Sequence, residues 1–332
     1  MKFHICGIIL CLLCCAGCRE NTCPDVRNLL REVKIKRLDL ASFQADTLKP
    51  DVEALHQEFG RYFDVYTNGV LQLGYWSDPD FADLFGLFLK DPVMREVADS
   101  VADKYPDMDR QEKQLASAWA YYAYYFPQRS IPHIYTHISG FNQSVIVDSL
   151  AIGVSLDNYL GEKCAFYSML AVPVPVYARK KMTENDIARD ALVGWLYAEF
   201  PFQPQKNDLI SGMIYQGKIV YLVEKLFPEE APHWLLGFSK EQWDWCEGNE
   251  GQIWGFLVEN EYLFSTQQRL IMKYLNDAPF TSGMPTESPG RAVVWSGFKI
   301  VEKYMKKTNA SPEELMKEQD YHKILRVAGY RP

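Results

Sequence analysis

Four sites in this sequence carry residues whose types and spacing bear on chemistry. In "IYQGKIVY", Tyr215, Gln216 and Ile219 stand at the spacing at which a metal-binding helix places His, Glu and His, and "CEGNEGQIWGFLVEN" further on offers Asn249, Glu250 and Gly251. Two imidazoles four residues apart on a helix can hold zinc, and a carboxylate between them can activate water. Here Ile219 cannot ligate a metal, neutral Gln216 cannot act as a general base, and Glu250 alone would not retain zinc. His133 and His137 are also four apart, but Pro132 and β-branched neighbours place them on a strand. Residues four apart on a strand are separated by about 13 Å, at about 3.3 Å per residue, so the two cannot share one ion. Ser155 in "GVSLD" lacks the second glycine of a nucleophile elbow and reads as strand. In "TSGMPTESPGR", Thr281–Arg291, a polar loop runs into a helix start, where free N–H groups and Arg291 could contact an anion or a partner. The alternative for Arg291 is an ion pair with a structural acid in a well-capped helix.

The elements that must position these residues are mostly helical. Leu209, Met213, Gln216, Val220, Val223 and Phe227 follow three-four spacing and form one face, with Ser211, Lys218 and Lys225 on the other. Gln216 thus sits in an apolar stripe, where an unpaired amide costs on the order of 1 to 3 kcal/mol, so it needs a partner. Glu250 is the expected one in a closed core; otherwise Tyr215, Gln216 and Glu250 line a vestigial cleft. Helix starts are marked by proline behind a capping side chain in "SDPDFADLFGLFL", "DPVMREVADSVADKY", "ESPGRAVVWSGFKIVEKYMKK" and "SPEELM". Capping-box spacing appears at Thr183–Asp186 and Ser239–Gln242. "IPHIYTHISGFNQSVIVDSLAIGVSLDNYLG" has the composition of strands and hairpins, and "KIKRLDL" could add one more strand. The expected fold class is α+β, mostly helical, with a small β-hairpin sheet among the helices.

The chain opens with "MKFHICGIILCLLCCAGCRE": a basic residue, a short apolar run, then small residues before Cys18. This reads as a bacterial lipoprotein signal, too short to span a bilayer, with Cys18 as the lipid attachment site. Residues 1–17 are the expected signal peptide, 18–45 a lipid-anchored tether with a first strand, and 46–332 a single body. That body is helical over 46–130, β-rich over 131–160 and helical over 183–332. Of eight cysteines, Cys23, Cys164 and Cys246 follow the lipidated one, far apart and with no CxxC, so no structural metal is expected. With 48% hydrophobic residues and a net charge of −8, the chain is globular and acidic, which argues against nucleic acid as a partner. No nucleotide-binding loop is present, and no cofactor is expected. The aromatic run "WAYYAYYF" is expected to be core, glycan binding being the alternative. Without an acidic export tract after Cys18, the expected location is the cell envelope, anchored by lipid and facing the periplasm.

In layout, a β-hairpin followed by the 209–227 helix and then the "NEG" segment resembles the gluzincin metallopeptidases, which implies a degenerate zincin-like fold without its hydrolytic centre. More specifically, "YFP", "IPHIYTHISGFN", "AIGVSLDNYLG", "MIYQGKIVY", "WCEGNEGQIWGFLVENEYLFS", "NDAPFTSGMPTESPGR" and "VAGYRP" occur in order behind a lipoprotein signal. Together they resemble the gliding motility-associated lipoprotein GldB family of Bacteroidota across almost the whole mature chain. The resemblance implies an envelope accessory lipoprotein of the gliding and secretion machinery that binds other envelope components. It carries over no catalytic residue. An unconventional metallopeptidase-like hydrolase around Tyr215, Gln216 and Glu250 remains the enzymatic alternative.

Overall fold

The computed structural model describes residues 23–43 and 50–332. Cys18 and the signal segment lie outside the described residues. After β1 (Ile35–Arg37), six helices follow: α1 (Leu38–Phe43), α2 (Val52–Phe59), α3 (Arg61–Asp64), α4 (Phe81–Lys90), α5 (Pro92–Lys104) and α6 (Asp109–Tyr125). Strands β2 (His133–His137), β3 (Val145–Asp148) and β4 (Ala151–Ser155) come next. The short helices α7 (Phe166–Met169) and α8 (Val176–Arg179) lead to α9 (Ile187–Glu199), α10 (Leu209–Leu226), α11 (Lys240–Gly248) and α12 (Glu250–Glu259). The chain closes with α13 (Gln268–Leu275), α14 (Ala292–Thr308), α15 (Pro312–Lys317) and α16 (Tyr321–Ala328). The class is α+β.

The sheet is mixed, in the order β1-β2-β4-β3, so the expected hairpin accounts for β3 and β4 alone. β1 runs parallel to β2 with Ile35 opposite Ile134, and β2 runs parallel to β4 with Ile134 opposite Ile152. β3 is the antiparallel edge, Val147 facing Ile152. To reach that edge, the loop after β2 passes the end of β4, where the buried carboxylate of Asp157 holds it. Asp157 accepts hydrogen bonds from Phe141 N–H at 2.6 Å, Ser139 N–H at 3.2 Å and the Ser155 hydroxyl at 2.6 Å. Ser155 is therefore a strut for this loop. His133 and His137 lie on one strand as expected, His133 exposed and His137 buried.

α10 and α14 form the centre of the C-terminal half. A Cβ on Gly217 would come within 2.4 Å of the Gly297 carbonyl carbon, and one on Gly297 within 2.0 Å of the Met213 oxygen. Only glycine at both positions lets the two backbones meet. α10 is consequently buried nearly all round: Ser211 and Lys218, on its expected polar face, are each 1% exposed. The buried Lys218 ammonium donates to the carbonyls of Glu318 at 2.9 Å and Met316 at 3.4 Å, closing the C-terminal end of α15.

Helix starts follow the capping chemistry in part. Asp91 caps α5 ahead of Pro92, Ser311 caps α15 ahead of Pro312, and Ser239 with Gln242 makes a capping box on α11. Two prolines stand outside the helices they announce: α4 begins at Phe81, after Pro79, and α14 at Ala292, after Pro289. Thr183 donates to the Asp186 side chain at 2.6 Å, but α9 starts only at Ile187.

Candidate functional site: a cleft beside α10

A cavity of about 320 Å³ opens between α9, α10, the 3-10 turn Pro232–Leu236 and the segments around Lys181 and Asp277. Its apolar wall includes Val193, Ile219, Val220, Val223, Leu235 and Leu236, and its polar lining includes Lys181, Arg189, Asp190, Tyr197, Asp277 and Arg291. Ile219, at the second histidine position of the metal-helix spacing, supplies aliphatic wall here.

The charges are held in a definite order. Arg189 is buried between two acids, 2.8 Å from Asp186 and 2.9 Å from Asp190, and also donates to the Trp234 carbonyl at 2.9 Å. Tyr159 donates to Asp190 at 3.1 Å. Lys181 pairs with Asp277 at 2.7 Å across the rim. Burial pulls the Lys181 ammonium below its ordinary pKa; Asp277 opposes this, and Arg291 and Arg189 reinforce it. Burial also raises the Tyr197 hydroxyl, against the field of Arg291.

Arg291 differs from its neighbours. Its Nη2 donates to Gln216 Oε1 at 2.9 Å, and among the described residues it has no carboxylate partner and no acceptor for its Nε. The expected structural acid is replaced by a neutral amide. Arg291 is also the residue that enters α14, with φ +64°, a left-handed conformation that costs a non-glycine residue roughly 1 kcal/mol or more. The preceding loop imposes it. The Thr281 hydroxyl accepts from Ala292 N–H at 3.0 Å and donates to the Pro289 carbonyl at 2.6 Å, and a Cβ on Gly290 would lie 1.9 Å from the Ala278 oxygen.

Tyr215, Gln216 and Glu250 do not bond to one another. Tyr215 donates to the Phe200 carbonyl at 2.9 Å, Gln216 accepts from Arg291, and Glu250 accepts from Tyr330 at 2.7 Å. The Gln216–Glu250 hydrogen bond expected for a closed core is thus replaced by two separate pairs, one toward the loop before α14 and one toward the C-terminus. Sequence reading reached Arg291 and the helix beside it but missed Lys181, Arg189 and Asp277. Arg189 had a signal, a lone cation among Ile187, Ala188, Ala191 and Leu192; Lys181 and Asp277 meet only through folding.

Of the "WAYYAYYF" aromatics, Trp119, Tyr122 and Phe126 are core. Tyr124 is 50% exposed and meets Tyr125 edge-on at 83°. Among the described residues, no three His, Cys, Asp or Glu side chains gather as a metal site, and no helix is long and apolar enough to cross a membrane.

Fold and cleft together define a helix-rich α+β protein with a small mixed sheet and a cleft of apolar walls, two ion-paired cations and one guanidinium held by an amide. The chain belongs to the gliding motility protein GldB family, whose model matches residues 19–332. Comparison with curated proteins and with solved structures gives no match. Membership places the chain among gliding motility-associated lipoproteins, a class that fits the cell envelope.

Proposed function

We propose that this protein is a lipid-anchored accessory protein of the cell envelope that acts by binding other envelope components of the motility or secretion type. The observation that carries the reading is a braced apolar loop on the segment that leads into the cleft. Met169, Val172 and Val176 are 73%, 83% and 62% exposed. Their backbone is fixed: Arg179 donates to the Val174 carbonyl and the Ser168 hydroxyl, each at 2.7 Å, and Val174 N–H donates to the Tyr167 carbonyl at 2.9 Å. Tyr167 is itself buried, with its hydroxyl donating to the Asp157 carbonyl at 3.0 Å. Apolar side chains held outward on a fixed backbone are the usual form of a protein contact, since little entropy remains to be lost on binding.

In this reading residues 1–17 are the signal, Cys18 carries the lipid, 18–45 tether the chain, and 46–332 form the binding body, facing the periplasm. The zincin-like layout is a second reading. Its support is the antiparallel edge strand β3, whose neighbour Ser144 lines the cleft; the Arg291 guanidinium against residue 216 would repel a metal ion there. Either way Gln216 is an acceptor for Arg291, which suits holding a ligand better than abstracting a proton. Crosslinking in cells with identification of the captured proteins tests the proposal. Recovery of defined envelope proteins is the expected result; hydrolysis of peptide or glycan by the purified chain, with nothing captured, overturns it.

A further inference from the structure

We infer that the cleft beside α10 is a binding site for a single carboxylate carried on an apolar body, with Arg291 as its anion contact. This goes beyond the docking role proposed for the apolar loop and stands on different residues.

Charge sets the head group. Around the cleft Lys181 is matched by Asp277, and Arg189 by Asp186 and Asp190. That leaves one guanidinium without a carboxylate among the described residues, held in place by a neutral Gln216 and by a strained backbone at φ +64°. An arginine fork suits a planar carboxylate. With Lys181, Arg189 and Arg291 set against Asp186, Asp190 and Asp277, the formal charge of the group is zero. The site therefore suits a single negative charge placed on the one guanidinium that lacks a direct carboxylate, and a dianionic phosphate would meet more repulsion from Asp190 and Asp277, which line the same space. Shape and lining set the rest: about 320 Å³ walled by Val193, Ile219, Val220, Val223, Leu235 and Leu236 accepts an aliphatic group of a few carbons. Two sources share this chemistry, the C-terminus of a peptide ending in an aliphatic residue and a short fatty acid.

Calorimetric titration of the full lipid-bearing chain in nonionic detergent tests the inference with N-acetyl-leucine, N-acetyl-leucine amide, hexanoate and inorganic phosphate. The acid is expected to bind at least tenfold more tightly than the amide, with phosphate unable to displace it. Arg291→Gln is expected to erase the acid–amide difference. Gln216→Glu, which places a carboxylate on the guanidinium, is expected to do the same and serves if Arg291→Gln does not fold. Stronger binding of hexanoate points to a fatty acid, and stronger binding of N-acetyl-leucine to a chain terminus; either supports the inference. Equal affinity for acid and amide, no binding of any carboxylate, displacement by phosphate, or an unchanged difference in both folded variants would overturn it. Because capture by the apolar loop is read at Val172 and does not involve Arg291, failure here leaves the binding role in the envelope separately testable.

Discussion

Two polar clusters in this protein are arranged for opposite ends. Under the end of β4, Asp157 is fully buried and takes hydrogen bonds from two backbone N–H groups and a serine, while His137 sits beside it with Nδ1 2.7 Å from the Tyr62 hydroxyl. That cluster is sealed from solvent, and the Asp157 carboxylate serves the chain itself, while His137 Nε2 is buried without a partner among the described residues. Beside α10, Arg291 is partly exposed, bonded to an amide and unmatched by an acid, in a cleft that opens to solvent. A buried polar group that holds a loop is costly to remove, whereas one that faces a cleft can be changed with little cost to the fold.

The sharpest way to break the comparison is to remove the closed acceptor. Asp157→Ala should cost about 4 kcal/mol in urea unfolding, because each buried donor left without a partner costs roughly 1 to 3 kcal/mol. A loss below about 1 kcal/mol would mean that the loop past β4 does not depend on it.

Acid provides a second route. Burial lowers the His137 pKa from 6.5 to about 3, so between those values the unfolded chain takes up a proton that the folded chain refuses. Stability is fully present above pH 6.5 and falls as the pH drops toward 3, by on the order of 4 kcal/mol from this group. Burial raises the pKa of Asp157, only partly offset by its hydrogen bonds, and that contribution runs the other way. The difference between the pH profiles of wild type and His137→Phe isolates the histidine.

Lys218 sharpens the contrast with Arg291, since both are cations on neutral oxygen partners, one sealed and one open. Burial lowers the Lys218 pKa from 10.5 to about 8, with Glu318 opposing the shift. The unfolded chain therefore holds the extra proton between pH 8 and 10.5, and stability should rise across that window by on the order of 2 kcal/mol. Thermal unfolding at pH 7.5 and 10 should show the rise in wild type and not in Lys218→Met.

The smallest effect on the fold is expected at the cleft. Arg291→Gln should change the unfolding free energy by less than about 1 kcal/mol, relief of the left-handed arginine being no part of the change because glutamine keeps the same backbone. A loss above about 2 kcal/mol would mark Arg291 as a core strut and remove the distinction between the two clusters.

Much of this was legible in the sequence, for identifiable reasons. Local rules found the α10 stripe, the caps at Asp91, Ser239 and Ser311, and the strand character of His133–His137 and Ser155, because each depends on neighbours within a few residues. What failed was long-range. The parallel pairing of β1 with β2 joins residues separated by six helices, and no periodicity reports it. Gln216 was correctly marked as needing a partner, but choosing Arg291 over Glu250 depends on how close α14 comes to α10, which Gly217 and Gly297 decide. Lys218 was assigned to a polar face because the model of a one-sided helix does not anticipate α15 and α16 packing over it.

The central claim, that the face carrying the cleft and the braced loop is where this lipoprotein meets another envelope component, is tested most directly by site-specific photocrosslinking in cells. A photoreactive side chain at Val172, 83% exposed on the loop, is compared with one at Glu313 of α15, whose side chain is 46% exposed and has no part in the loop or the cleft lining. The account predicts discrete adducts with an envelope protein from position 172 and none from position 313. Adducts from 313 alone, or none from 172 in a correctly anchored protein, would contradict it.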